Sequence, residues 1–235
     1  MLVVLALEAG ATVAFDRVCR MIWDSPPRSA ASNLRTYVAL VRRYLRLTGY
    51  DDYMITVRGG ERGYRLCVPH GLIDVHHLNR LADSGHLALT QNRLPAAICD
   101  LTGAIGMWRG PVGSDIAASS QLRSRLDAFT FRYSGVREDL AEAQLLTGQL
   151  RSAHQNILDT LAEHPLRERS WGQLIRVSYL LGQRDAAFAA YHRAGRLLCD
   201  ELGSDPGAEL VRLHRALLDD DEHILKSPGQ HEMSI

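Results

Sequence analysis

Apolar positions recur along this chain with two different periods, and the change from one to the other organises it. The first apolar run, residues 2–9 (LVVLALEA), reads as a helix closed by Gly10. Residues 13–23 predict a second helix, with Val13, Val18 and Ile22 on its buried face, Phe15 and Trp23 beside them, and Asp16 in its first turn. Asp24-Ser25-Pro26-Pro27 then breaks the chain. Between residues 29 and 47, Leu34, Val38, Val41 and Leu45 fall at i, i+4, i+7 and i+11, a single helical stripe flanked by Tyr37 and Tyr44, with Ser29 or Ser32 as cap. The period then shortens to two. Residues 54–57 read as a strand, 58–63 as a glycine-rich turn and 64–68 as the returning strand of a hairpin. Two short helices, a turn, a longer helix and a hairpin make a helix-turn-helix with a wing.

From residue 74 onward the pattern is helical throughout, over 74–88, 91–108, 119–147, 150–163, 167–182, 184–202 and 206–220. Breaks fall at Gly110-Pro111, Gly148, His164-Pro165, Gly182 and from Gly203 to Pro206. Within this region Leu146, Gly148, Gln149, Leu150 and Ala153 align at a shift of 34 with Leu180, Gly182, Gln183, Arg184 and Ala187. That spacing is the tetratricopeptide period, in which small residues sit where paired helices approach closely. Helices 74–108 supply a degenerate third unit, and the segment after Pro206 a capping helix.

Composition agrees with helices. Of 235 residues 46% are hydrophobic, enough for real cores, while 6% are aromatic and Lys226 is the one lysine among 27 basic residues. The net charge of zero hides an asymmetry: residues 1–70 carry +4 and the remainder −4. A basic head and an acidic body fit a nucleic-acid-binding domain joined to a protein-interaction domain. The charge is also placed. On the helix of residues 29–47, Arg35, Thr36, Ala39, Arg42, Arg43 and Arg46 lie opposite the apolar stripe, and residues 25–50 contain no acid. Surface helices usually mix signs, since Glu–Arg pairs stabilise them. A one-sign face suits phosphates and base edges in a major groove. Arg35 and Thr36, near the helix N-terminus, are candidates for base edges, with Asn33 turned to the side; Arg42 and Arg43, in later turns, are candidates for phosphate, with Arg46 beyond them. Arg58, Arg62 and Arg65 place further positive charge on the hairpin.

Other chemistry is missing. Gly59, Gly60 and Gly63 lie between two strands with no helix following, which rules out a phosphate loop. No H-E-x-x-H, G-x-S-x-G or Walker motif occurs, and the ten histidines are scattered, with adjacent His76 and His77 facing different sides of a helix. Neither an enzyme, a metal nor a cofactor is expected. Cys19, Cys67, Cys99 and Cys199 form no C-x-x-C pair and read as reduced core thiols. No apolar run approaches the length of a membrane span, so a cytoplasmic protein is expected.

Several motifs, spaced along nearly the whole chain, resemble those of the Streptomyces antibiotic regulatory protein family, bacterial activators that join an OmpR-type winged helix to a helical transcriptional activation domain. Residues 30–43, with Asn33-Leu34-Arg35-Thr36-Tyr37-Val38 followed by Leu40, Arg42 and Arg43, resemble the family's recognition helix, and Gly63-Tyr64-Arg65-Leu66 resembles its wing strand. Trp108-Arg109-Gly110-Pro111, His164-Pro165-Leu166-Arg167-Glu168, Glu201-Leu202-Gly203 and Asp205-Pro206-Gly207 are similar to signatures of its helical domain. The resemblance implies a mostly α protein: a winged helix-turn-helix over 1–70 that lacks the family's N-terminal strands and begins inside its first helix, a tetratricopeptide-like activation domain over 71–222, and a flexible tail over 223–235. It implies a transcriptional activator of a secondary-metabolite gene cluster that binds promoter direct repeats in double-stranded DNA as side-by-side protomers and contacts RNA polymerase and its sigma factor. The competing expectation is a tetratricopeptide-type regulator whose short winged helix no longer binds DNA.

Overall fold

The computed structural model describes residues 1–59 and 62–227. The chain groups into two compact units, Met1–Arg80 with Met107–Arg132, and Leu81–Gly106 with Tyr133–Ile235. Among the described residues no helix is long and apolar enough to cross a membrane.

In the first unit the order is α1 (Leu2–Leu7), β1 (Thr12–Ala14), α2 (Phe15–Ile22), α3 (Ala30–Leu47), β2 (Met54–Val57) and β3 (Gly63–Leu66), the order of a winged helix-turn-helix. The strands form one antiparallel sheet, β1-β3-β2, pairing Val13 with Tyr64 and Thr56 with Tyr64 across its two ladders. Val13, expected on a helix, therefore lies in a strand. Gly10, at φ +83°, turns α1 directly into β1, and α2 begins only at Phe15. Gly63 makes this third strand possible, because a Cβ there would stand 2.3 Å from the Val13 carbonyl oxygen.

The apolar residues of α1 serve two cores. Leu5 joins Val13, Val18, Leu34, Val38, Val41, Leu45, Met54 and Leu66 under α3 and the sheet. Val4 and Leu7 join Met21, Val75, Leu122 and Leu126, so the helix is apolar on all sides because both sides are covered. The second core draws in the segment after the Trp108-Arg109-Gly110-Pro111 motif. There Ser119 Oγ donates to the Met21 carbonyl at 2.9 Å, and Asp24 Oδ1 accepts from Ser120 N and Oγ at 2.7 and 2.6 Å. Those hydrogen bonds hold the Asp24 carboxyl below its ordinary pKa. Glu8 pairs with Arg17 and Arg125, and His76 Nε2 meets the Ala6 carbonyl at 2.7 Å. Packing thus places residues 107–132 with the N-terminal unit, where the sequence expectation drew its division after residue 70.

The rest is helical: α4 (Asp74–Thr90), α5 (Leu94–Gly106), α6 (Ser120–Leu146), α7 (Leu150–Glu163), α8 (Glu168–Leu180), α9 (Arg184–Leu202), α10 (Ala208–Asp219) and α11 (Glu222–Lys226). The repeat has a backbone counterpart. Gly148 and Gly182 close α6 and α8 at φ +73° and +76°, and in each case the next residue donates back five positions, Gln149 N to Gln144 O and Gln183 N to Ser178 O. Asn92, at φ +56°, closes α4 with the same bond, Arg93 N to Ala88 O, which makes α4–α5 the third hairpin of the set. Ala153 and Ala187 are fully buried, as close helix pairing requires.

Two expectations need correction here. The tail expected from residue 223 is helical through Lys226: Asp221 caps α11 by accepting from the His223 and Ile224 amides, and Leu225 is fully buried. Residues 228–235 of that tail lie outside the described residues. Of the four cysteines only Cys19 is buried, where desolvation raises its pKa; Cys99 and Cys199 are exposed, so they are surface thiols.

Candidate nucleic-acid interface

Helix α3 buries Ala30, Leu34, Val38, Val41 and Leu45 and leaves the opposite side in solvent. Ser29 occupies the cap position without capping through its side chain; its hydroxyl instead accepts from Asn33 Nδ2 at 3.3 Å. Thr36 is exposed, and its Oγ1 donates to the Ser32 carbonyl at 3.3 Å. Trp23 stacks on Tyr37 with ring centroids 6.0 Å apart, fixing the turn between α2 and α3.

Of the nine residues expected to meet nucleic acid, the seven arginines separate into two groups. Arg35 and Arg43 are exposed on α3 and have no ion-pair or hydrogen-bond partner among the described residues. Arg58 and Arg62 are exposed at the two ends of the hairpin turn, whose Gly60 and Glu61 lie outside the described residues. The other arginines are engaged within the protein. Arg42 Nη2 donates to Thr56 Oγ1 at 2.7 Å and fastens α3 to β2. Arg46 pairs with Asp51 at 3.3 Å in the short turn after the helix. Arg65, half-buried on β3, donates from Nε and Nη2 to Thr12 Oγ1 at 3.0 and 2.7 Å, bracing β3 against β1.

Sequence reasoning passed over Arg28. It is exposed just before α3, unpaired among the described residues, and within the same acid-free stretch that singled out the helix. Leu40, Tyr44 and Leu47, 55–78% exposed, form an apolar edge along the cationic face. Among the described residues no group of three or more His, Cys, Asp or Glu could hold a metal ion.

In the second unit the signature residues are internal fastenings. Arg167 of the His164–Glu168 motif donates from Nε and Nη2 to the two oxygens of Glu138, at 2.9 and 2.6 Å, and Ser170 adds a third bond at 2.7 Å. The neighbouring Glu168 accepts the Gly207 amide at 2.6 Å, so the two C-terminal motifs meet in space. Arg176 holds Glu142 at 2.9 and 2.8 Å with both side chains buried. These contacts order helices and present no reactive constellation.

A family model described as the bacterial transcriptional activator domain matches residues 73–218. The transcriptional regulatory protein EmbR of Mycobacterium tuberculosis is 28% identical over 226 residues, covering 92% of this chain and 56% of EmbR. MoaR1 of the same organism is 32% identical over 219 residues, covering 92% of this chain and 70% of MoaR1. The regulatory protein DnrI of Streptomyces peucetius is 29% identical over 228 residues, covering 94% and 83%. The solved structure of M. tuberculosis EmbR in complex with a low affinity phosphopeptide matches with a TM-score of 0.85 and 27% identity, over 93% of this chain and 58% of that one. The chain therefore spans little more than half the length of EmbR.

Proposed function

The chain belongs to the Streptomyces antibiotic regulatory protein family of transcriptional regulators, and we propose that it activates transcription by binding promoter DNA through α3. The observation that carries this reading is the one-sided burial of α3, which leaves Arg35 and Arg43 free on an acid-free face while Leu34, Val38, Val41 and Leu45 hold the helix to its core. Arg35 and Thr36 read base edges in the major groove, with Asn33 at the side; Arg43 neutralises phosphate. Arg58 and Arg62 of the wing supply charge to backbone or minor groove, and Arg28 extends the contact before the helix. Arg42, Arg46 and Arg65 act mainly by holding α3, the turn and the sheet in position, since each already has an internal partner.

The DNA is double-stranded promoter sequence carrying direct repeats, bound by side-by-side protomers, in the cytoplasm and upstream of genes for a secondary metabolite. The helical unit holds RNA polymerase with its sigma factor: stacked helix pairs build a surface suited to a protein, and their net acidic charge makes them a poor second site for DNA. A second reading, regulation through protein contacts without DNA binding, is favoured by the internal engagement of three of the seven candidate arginines. Gel shifts of the chain on its own upstream promoter, titrated with salt, separate the two. DNA binding requires a log–log slope that falls as phosphate-contacting arginines are removed. No shift at low salt leaves the second reading standing.

A further inference from the structure

The buried stripe of Leu34, Val38, Val41 and Leu45 fixes how α3 is turned. At about 100° per residue, Thr36 and Arg43 then lie most directly opposite that stripe, with Ala39 and Leu40 to either side of them. All four are exposed, Leu40 at 56%. Leu40 follows Thr36 by four positions and precedes Arg43 by three, so on the helix surface it is a neighbour of both. Its place in the outward face is not owed to the helix, since alanine there would favour the helix at least as well.

What such a side chain can meet on DNA is restricted. A leucine neither neutralises phosphate nor exchanges hydrogen bonds with a base edge. In the major groove the base pairs present one apolar group, the C5 methyl of thymine. That methyl stands on the side of the groove nearest the backbone of its own strand. Leu40 lies between Thr36, assigned above to base edges, and Arg43, assigned above to phosphate, and so falls in the zone between base and backbone where the methyl stands. The charge around it favours the same occupant: residues 25–50 contain no acid, and Arg43 has no partner among the described residues.

We propose that Leu40 is a specificity-determining residue, packing on the C5 methyl of a thymine in the major groove and so selecting an A·T pair beside the position read by Arg35 and Thr36. The inference rests on the reading of α3 as a DNA-binding helix and adds to it a base that the helix selects. Contact withdraws the apolar surface of both leucine and methyl from water, a gain that cytosine, which lacks the methyl, does not return. Four residues of helix advance about 6 Å against about 3.4 Å per base pair, which sets the selected thymine one or two base pairs from that position.

Two duplexes of the chain's own upstream promoter test it, one with thymidine throughout and one with deoxyuridine in its place, which lacks only the C5 methyl. Gel shifts of the full chain and of Leu40→Ala on both duplexes complete a double-mutant cycle, in which any change of DNA shape common to the two proteins cancels. Leu40→Ala, at an exposed helical position, should keep the melting temperature of the unaltered chain. Removing the methyls should weaken the unaltered chain about fourfold more than it weakens Leu40→Ala, the effect of burying one methyl. Single deoxyuridine substitutions should then concentrate that loss at one thymine of each repeat. Equal losses for the two proteins would overturn this inference alone. So would an unchanged affinity of Leu40→Ala for thymidine DNA, which would assign the apolar edge to a protein partner. No binding of either duplex by the unaltered chain would reject the DNA reading itself, and this inference with it.

Discussion

Helices α3 and α8 use the same kinds of side chain in opposite ways. α3 buries one stripe and leaves Arg35 and Arg43 in water without partners among the described residues. α8 is buried on every side from residue 170 to 178, and its Gln173 and Arg176 turn inward onto Glu138 and Glu142 of α6. A solvated guanidinium contributes little to stability and so stays available to a partner. One removed from water must be matched where it lies, and it then specifies how neighbouring helices stack. Outward charge in this chain is proposed to serve recognition; inward charge sets the register of the repeat.

The largest effect should come from breaking the inward set. Arg176→Met strips the buried Glu142 of its counter-charge and should cost about 3–5 kcal/mol, read as a lowered denaturant midpoint. Adding Glu142→Gln should recover most of it. A loss no greater than that of a surface substitution would erase the distinction between the two helices. Next, Ala187→Leu overpacks the α8–α9 contact and should cost about 1–3 kcal/mol. Promoter output should vanish while operator affinity persists, with melting, gel shift and reporter measured on the same variant. Normal output despite a lowered melting temperature would make the helical unit dispensable, and loss of all three would mean the units fold together.

The outward set should respond in binding alone. Arg35→Ala should cost about 1–3 kcal/mol at one operator position and relax specificity there. Arg43→Ala should weaken all sequences alike and lower the salt slope by about one, and Arg42→Ala by less because Thr56 already holds that side chain. Equal losses on operator and random DNA for Arg35→Ala would move it from base to backbone.

The smallest effect concerns pH. His214 stacks on Tyr191 with ring centroids 4.0 Å apart, and burial, with His192 nearby, holds its pKa below the ordinary 6.5. The unfolded chain therefore takes the proton first as pH falls. The stability this imidazole contributes is complete above its unfolded pKa and is lost on acidification from there toward the lower folded value. His214→Phe, which keeps a ring on Tyr191, should flatten the dependence of melting temperature on pH over roughly pH 5 to 7. An unchanged slope would assign that titration to another group.

Much of α3 was legible because burial on a single face preserves the helical period, and Leu34, Val38, Val41 and Leu45 are the residues that period selects. The same logic fails for α6 and α8: with both sides covered, buried polar residues such as Glu138 and Gln173 look like surface. β1 was missed because three residues carry no period, and its partner strand lies some fifty positions along the chain. The seven candidate arginines were singled out by the charge pattern and Asn33 and Thr36 by their place on the helix, yet nothing local distinguished Arg43, which is free of partners among the described residues, from Arg46, which pairs with Asp51.

What the sequence determined by itself is what neighbouring residues decide among themselves: helical stripes, the left-handed turns at Gly148 and Gly182 that end paired helices, and an acid-free segment around α3. The tertiary structure alone decided which charges remain free. Thr56 took Arg42, Asp51 took Arg46, Thr12 took Arg65 and Glu138 took Arg167. An ion pair or hydrogen bond needs its partner within about 3 Å, and most of these partners are brought to that distance only by folding.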